Sequence, residues 1–216
     1  DEKVYMNIKG KKIVVILVMI LIALIGTYFV FKPKPTLTTK EIAVINKYSS
    51  SDIGATFPTL LYADKKNVIF YDYPGLIVYN LKKNEISGII DFEEFNYSTQ
   101  GSDAVEILAS SDGKDIYFIQ NETVFVYNVK NHKMVDKKID INSIDIFKEY
   151  HREDDILFNK LKIDRSKGFI SDIIKIDSDT YVYLTLIPNN YTFLDLNIVL
   201  HTPEGKEEIP VFLDEK

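Results

Sequence analysis

Asp112-Gly113-Lys114-Asp115-Ile116-Tyr117-Phe118, followed by Thr123-Val124-Phe125-Val126-Tyr127-Asn128-Val129-Lys130, repeats an earlier stretch of the chain. That stretch is Asp64-Lys65-Lys66-Asn67-Val68-Ile69-Phe70, followed by Gly75-Leu76-Ile77-Val78-Tyr79-Asn80-Leu81-Lys82. The offset is 48 residues throughout, with no gap. Asp64/Asp112, Lys66/Lys114, Phe70/Phe118, Val78/Val126, Tyr79/Tyr127, Asn80/Asn128 and Lys82/Lys130 are identical pairs. A degenerate third copy follows, in which Asp177-Ser178-Asp179-Thr180-Tyr181-Val182-Tyr183 takes the place of Asp112 to Phe118. Beyond a short insertion, Ile198-Val199-Leu200 stands where Phe125-Val126-Tyr127 stood, and Pro203-Glu204-Gly205-Lys206 replaces the turn at Lys130-Asn131-His132-Lys133.

Short runs of Tyr, Phe, Ile and Val broken by Asp, Asn, Gly and Lys are strand composition. Each unit reads as an antiparallel meander. A turn carrying Asp or Gly leads into a strand such as Ile116–Ile119, a tight turn at Asn121-Glu122 leads into Val124–Val129, and a Lys-Asn turn leads into an outer strand near Met134–Ile139. One sheet of about four strands cannot bury its own faces, whereas stacked units can, and a period of about 40–50 residues is that of propeller blades. The expected fold is all-β, built of propeller-like four-stranded antiparallel meanders. Three units fall short of the usual ring of about 4–8 blades, so the propeller is expected to be incomplete or open, or part of a longer one.

Asp115 to Asn128, continuing through Lys133-Met134-Val135, resembles a YVTN-type β-propeller blade, with its strand, Asn-Thr-Val-like turn, second strand and Lys-Val ending. Ser110-Ser111-Asp112-Gly113-Lys114 is similar to the Ser-x-Asp-Gly-Lys turn of such blades and of WD40-like repeats. The resemblance covers about two to three units and implies a blade architecture with binding through loops at one end of the ring axis. The chain has no Trp, and so lacks the Trp-Asp signature of WD40 repeats.

Residues 142–170 break the repeat. Ile144, Phe147, Ile156, Leu157 and Leu161 lie among charged neighbours at a spacing that fits one or two short helices, so a partly helical insertion is expected here. Residues 42–216 form the expected β-domain, beginning with a strand at Ile42–Ile45 and a turn at Ser49-Ser50-Ser51.

Ahead of it, Ile13 to Phe31 is an uncharged run, IVVILVMILIALIGTYFVF. A helix of that length covers roughly 28 Å, close to the roughly 30 Å hydrocarbon core of a bilayer. The run is longer than the roughly 7–15 residues of a signal-peptide core, and Lys32-Pro33-Lys34-Pro35 follows it in place of a small-residue cleavage site. An uncleaved anchor is therefore expected over residues 13–31, with residues 1–12 as a cytoplasmic tail, 32–41 as a linker and the remainder extracytoplasmic. Lys3, Lys9, Lys11 and Lys12 precede the run and Lys32, Lys34 and Lys40 follow it, so the positive-inside rule leans only slightly the same way.

Five Lys and two acids fall in residues 1–32, which leaves 21 basic and 30 acidic side chains beyond them, a net charge of −9 with His neutral. That balance argues against nucleic acid as a partner, because phosphates require a basic face. With no Cys there are no disulfides, no thiol chemistry and no Cys-bound zinc. The Ile, Lys and Asn richness fits an A+T-rich bacterial genome.

No G-x-S-x-G elbow, phosphate-binding glycine loop or H-E-x-x-H motif is present. His132, His151 and His201 are the only histidines, and none is spaced from another as a metal ligand pair. His151 with Asp154 and Asp155 is one candidate cation site, although a solvated charged loop reads better. Asp112-Gly113 and Asp177-Ser178-Asp179 do not complete a calcium-loop pattern and are explained by turn geometry. Glu93-Glu94, read as strand residues, would point to opposite faces and could not act as an acid/base pair. No catalytic, metal or cofactor residue is assigned, no cofactor is expected, and the ligand-binding residues are left open. The expected function is that of a membrane-anchored binding or scaffold protein engaging an envelope protein or a cell-wall glycan. A lactonase-like propeller hydrolase and a sensor subunit with a membrane partner are the alternatives.

Overall fold

The computed structural model describes residues 18, 39, 42–44, 57–98, 104–120, 123–136, 139–148, 150–151, 155–189 and 193–211. The chain divides into two compact units, Asp1–Thr38 and Thr39–Lys216. Only Val18 of the first is described, in helical conformation. The tail and anchor expected at 1–12 and 13–31 otherwise lie outside the described residues, as do the Ser49–Ser51 turn and, apart from Thr39, the 32–41 linker. Among the described residues, no helix is long and apolar enough to cross a membrane.

The second unit is mostly β. Strands β1 (Thr59–Ala63), β2 (Asn67–Asp72), β3 (Gly75–Asn80) and β4 (Glu85–Asp91) form the first sheet in chain order, and β5 (Glu106–Ala109), β6 (Asp115–Gln120), β7 (Thr123–Asn128) and β8 (Lys133–Asp136) form the second. The third contains β9 (Tyr150–His151), β10 (Phe169–Ile170), β11 (Ile173–Lys175), β12 (Tyr181–Asn189), β13 (Phe193–Thr202) and β14 (Gly205–Pro210). Its order is β14-β13-β12-β11-β9, with β10 also paired to β12. Every pairing is antiparallel, and the described strands close no barrel.

The 48-residue repeat is a repeat of hydrogen-bond register. Val68 pairs Tyr79 and Phe70 pairs Ile77, as Ile116 pairs Tyr127 and Phe118 pairs Phe125. Tyr79 pairs Ile86 as Tyr127 pairs Met134. The turns repeat too. Asn80 Oδ1 accepts the Lys83 N–H and Asn128 Oδ1 the Asn131 N–H, both at 3.0 Å, and Asn84 and His132 hold the same left-handed backbone at φ 54° and 52°. The first strands depart from the offset because the turn between Ala109 and Ile116 is longer than that between Ala63 and Val68, and the bulge between Leu60 and Tyr62 takes back part of the difference.

The third sheet corrects the sequence alignment of the third copy. Tyr181 pairs His201, so His201, not Leu200, stands where Tyr127 stands in the second sheet. His201 in turn pairs Lys206, which therefore matches Met134 rather than Lys133. A slip of one residue moves a strand's side chains to the opposite face.

The first sheet lies between the other two. One face places Leu60, Val68, Phe70 and Ile77 against Val182, Leu184, Leu196 and Ile198 of the third sheet. The other places Ile69, Leu76, Val78 and Phe92 against Ile107, Ile116 and Phe118 of the second. This explains why β3 is buried at every position, a continuous apolar run rather than an alternating one. At the centre, β1 lies against both β5 and β11.

The two outward faces are capped by the insertion and the residues just ahead of it. Ile139 and Ile144 pack on Ile119, Val124 and Val126 of the second sheet. Leu157, Phe158 and Leu161, from helix α1 (Asp155–Lys160) and the turn after it, cover Ile173, Tyr181, Tyr183 and Val199 of the third. Between these caps, Ile146 bridges to Ser110, and Phe147 packs against the cores on both sides of the first sheet.

Other expectations needed correction. Ile42, Ala43 and Val44 are helical, not a strand, and Val44 is fully buried beside Gly75. Gly75 is required there, because a methyl group would collide with the Ile90 carbonyl. Ile156 lies in a helix, as its spacing with Leu157 and Leu161 predicts, but is 82 % exposed, since a helix of six residues turns a single stripe inward and Leu157 and Phe158 occupy it. Strand β8 ends at Asp136, and residues 137–138 beyond it are not described.

Candidate functional site

Asp64, Asp112 and Asp177 occupy the same place in the three meanders, in the turn between the first and second strands. Each carboxylate holds its own turn. Asp64 Oδ1 accepts the N–H groups of Lys66 and Asn67 at 2.7 and 2.6 Å. Asp112 Oδ1 accepts the Ser110 hydroxyl at 2.9 Å and the Lys114 N–H at 3.2 Å. Asp177 Oδ1 accepts the N–H groups of Asp179 and Thr180 at 3.2 and 2.9 Å. The Lys114 ammonium, 2.5 Å from Asp112 Oδ2, is the main reason the Asp112 carboxyl falls to a pKa of about 2.

These turns meet one another. Lys65 Nζ lies 2.8 Å from Asp177 Oδ2, tying the first sheet to the third, and it holds that carboxyl well below the usual range. Gly113, at φ 65°, rests on the Tyr62 ring where a side chain would clash, which ties the second sheet to the first. Burial, with Asp64 beside it, pushes the Tyr62 hydroxyl up to about 12. Its oxygen donates to Asp64 Oδ2 at 3.3 Å, and its ring meets Phe147 edge-on at 5.0 Å. The carboxylates here are committed to turns and ion pairs. Among the described residues, no group of three or more His, Asp or Glu is placed to hold a metal ion.

A different chemistry lies on the capped face of the third sheet. Tyr181, His201 and Lys206 are directly opposite one another on β12, β13 and β14, and Tyr183, Val199 and Glu208 form the next row. Directly opposed residues of antiparallel strands share a face, so these side chains form one patch. Lys160, the last residue of α1, donates to the Tyr181 hydroxyl at 3.2 Å, and its ammonium stands 5.4 Å from the centre of that ring. Lys206 pairs with Glu208 at 2.6 Å. The Thr185 hydroxyl and His201 Nδ1 are buried without a hydrogen-bond partner among the described residues, and the Tyr183 hydroxyl, buried likewise, has the Lys206 ammonium as its polar neighbour. Burial, then the charges of Lys206 and Lys160, lowers the His201 pKa. Burial raises that of Tyr183, the Lys206 ammonium beside the hydroxyl opposes the rise, and Glu208 adds to it. Burial pulls Lys206 down, but Glu208 and Tyr183 outweigh it and the ammonium form gains.

The other histidines have ordinary surroundings. His132 sits in the β7–β8 turn, its Nδ1 3.0 Å from the Tyr127 hydroxyl, both packed close to Gly88. His151 is in β9, paired with Ile173, while Arg152, Glu153 and Asp154 lie outside the described residues, as do Asn121-Glu122. Glu93 and Glu94 are not strand residues but lie in the turn after β4. The polar patch on β12–β14 escaped the sequence reading. Its signal was Tyr183 standing at the position of Phe70 and Phe118, and the one-residue slip in aligning β13 hid the rest of the row. No protein-family model matches the chain, and no curated protein matches it.

Proposed function

We propose that the chain is a single-pass membrane protein holding a propeller-like β-domain outside the cytoplasmic membrane, where it binds an envelope protein or a cell-wall ligand. The observation that carries the propeller-like reading is rotational. The Phe70 face of the first sheet packs on the third sheet, and the equivalent Phe118 face of the second packs on the first. The Val78 face of the first sheet packs on the second in turn, and the equivalent Val126 face meets the insertion. Each unit thus repeats the face-to-face relation of its neighbour, with first strands gathered at the centre, as blades do around an axis. The uncharged run of residues 13–31 supports the anchor.

The topology is tested with protease on intact spheroplasts, which should remove residues 33–216. Protection until lysis overturns the orientation. For binding, the full chain should either co-sediment with isolated cell walls or crosslink in cells to an envelope protein through Lys65 or Lys114 at the turn end. Failure of both removes the binding reading.

A further inference from the structure

In the first two sheets, the face turned toward the preceding neighbour is apolar. Val68, Phe70 and Ile86 occupy three of its positions in the first sheet, and Ile116, Phe118 and Met134 the same three in the second. In the third sheet the register puts Tyr181, Tyr183 and Lys206 at those positions. His201 replaces Tyr79 and Tyr127, whose hydroxyls are satisfied locally by Asn84 and His132. The Tyr183 side chain is as buried as its Phe counterparts, at 1 % exposure against 0 %, yet it carries a hydroxyl that makes no well-formed hydrogen bond among the described residues and has only the Lys206 ammonium as a polar neighbour. Leaving a polar group in that state costs about 1–3 kcal/mol, and a Phe already serves the packing in two sister sheets. Local rules broken in one copy of a repeat and kept in the others mark a functional position.

The patch is rich in donors. Lys160 and Lys206 are exposed residues, Lys160 donates to the Tyr181 hydroxyl, Lys206 lies in the Tyr181–His201 row beside Tyr183, and His201 Nδ1 has no hydrogen-bond partner among the described residues. An ammonium has three donors, and Glu208 takes one of those on Lys206. In a chain of net charge −6, two lysines converging on buried hydroxyls form a local positive spot, and charge-assisted hydrogen bonds to an oxyanion are among the stronger ones available.

We propose that Tyr181, Tyr183, His201 and Lys206 of the third sheet, with Lys160 of α1, form a binding site for an oxyanion-bearing ligand, a carboxylate or a phosphate. The site stands independently of the membrane anchor, because it is built within the β-domain. Glu208 competes with the ligand for Lys206 and sets its affinity.

The test is calorimetric titration of the full chain in mild detergent and chloride buffer at pH 7, with inorganic phosphate in one arm and acetate in the other. Saturable binding is expected in at least one arm, at least tenfold weaker in K206A and in Y183F and tighter in E208Q. The tighter arm identifies phosphate or carboxylate as the recognised group. Y183F removes an oxygen whose polar neighbour among the described residues is the exposed Lys206 ammonium, so its thermal midpoint is expected to change little. That separates lost recognition from lost folding, and K206A, on an exposed side chain, provides a second such control. No saturable binding in either arm overturns the proposal, as does binding that K206A and Y183F leave unchanged.

Discussion

Phe118 and Ile156 show how little hydrophobicity says about a residue's role without its neighbours. Phe118 is fully buried, stacked on Tyr97 at 5.2 Å and edge-on to Phe92 at 6.0 Å. Removing such a ring leaves a cavity as well as losing apolar burial, so Phe118→Ala should cost about 3–5 kcal/mol. Ile156, 82 % exposed at the start of α1, should change stability by less than about 0.5 kcal/mol as Ile156→Ala. Urea unfolding of the two variants beside the parent chain measures both. A loss below 1 kcal/mol for Phe118→Ala would contradict its place between the first and second sheets. Phe118 was legible in the sequence because it repeats Phe70. The exposure of Ile156 was not, because its spacing fits a buried stripe that a helix of six residues is too short to present.

The conserved geometry of the hairpins rests on short polar contacts as much as on apolar pattern. Asn80 and Asn128 close their turns by the same bond, and Asp64, Asp112 and Asp177 hold theirs by accepting backbone N–H groups. A carboxyl whose folded pKa is depressed stabilises the fold above its unfolded pKa, near 3.9, and that contribution is lost as pH falls through the folded value. For Asp112 the folded value is about 2, so the window runs from about pH 4 down to about pH 2. Asp112→Asn cannot titrate. Its stability should therefore lie below that of the parent at pH 6, with the gap closing between pH 4 and pH 2. The difference will be small, because the Asp112–Lys114 pair is solvent-screened. Urea midpoints across that range measure it, and a gap that stays constant with pH would show that the carboxyl is not held ionised by Lys114. At this scale the strands and turns of the first two units were readable from sequence. The register of β13 was not, because the long β12–β13 hairpin removes the length constraint that keeps the other two copies in step.

Across the β-unit, the three sheets lie face to face, and the insertion with the residues just ahead of it covers the outer faces of the second and third. The stability of this arrangement derives from apolar burial between layers. EDTA should therefore leave the thermal midpoint of the full chain unchanged. A fall of several degrees, reversed by calcium, would assign a metal to the acidic turns or to the His151–Asp155 segment. The sequence by itself determined that the chain repeats, that each unit is an antiparallel meander, and where the turns fall. Local propensity and a two-residue alternation carry that information within a single unit. Tertiary structure alone decided the spatial order of the sheets, with the first between the third and the second. It also turned the insertion into a pair of caps and lined Tyr181, His201 and Lys206 across three strands. Those relations depend on pairing and packing between segments far apart in the chain, where a shift of one residue exchanges a core face for a polar one.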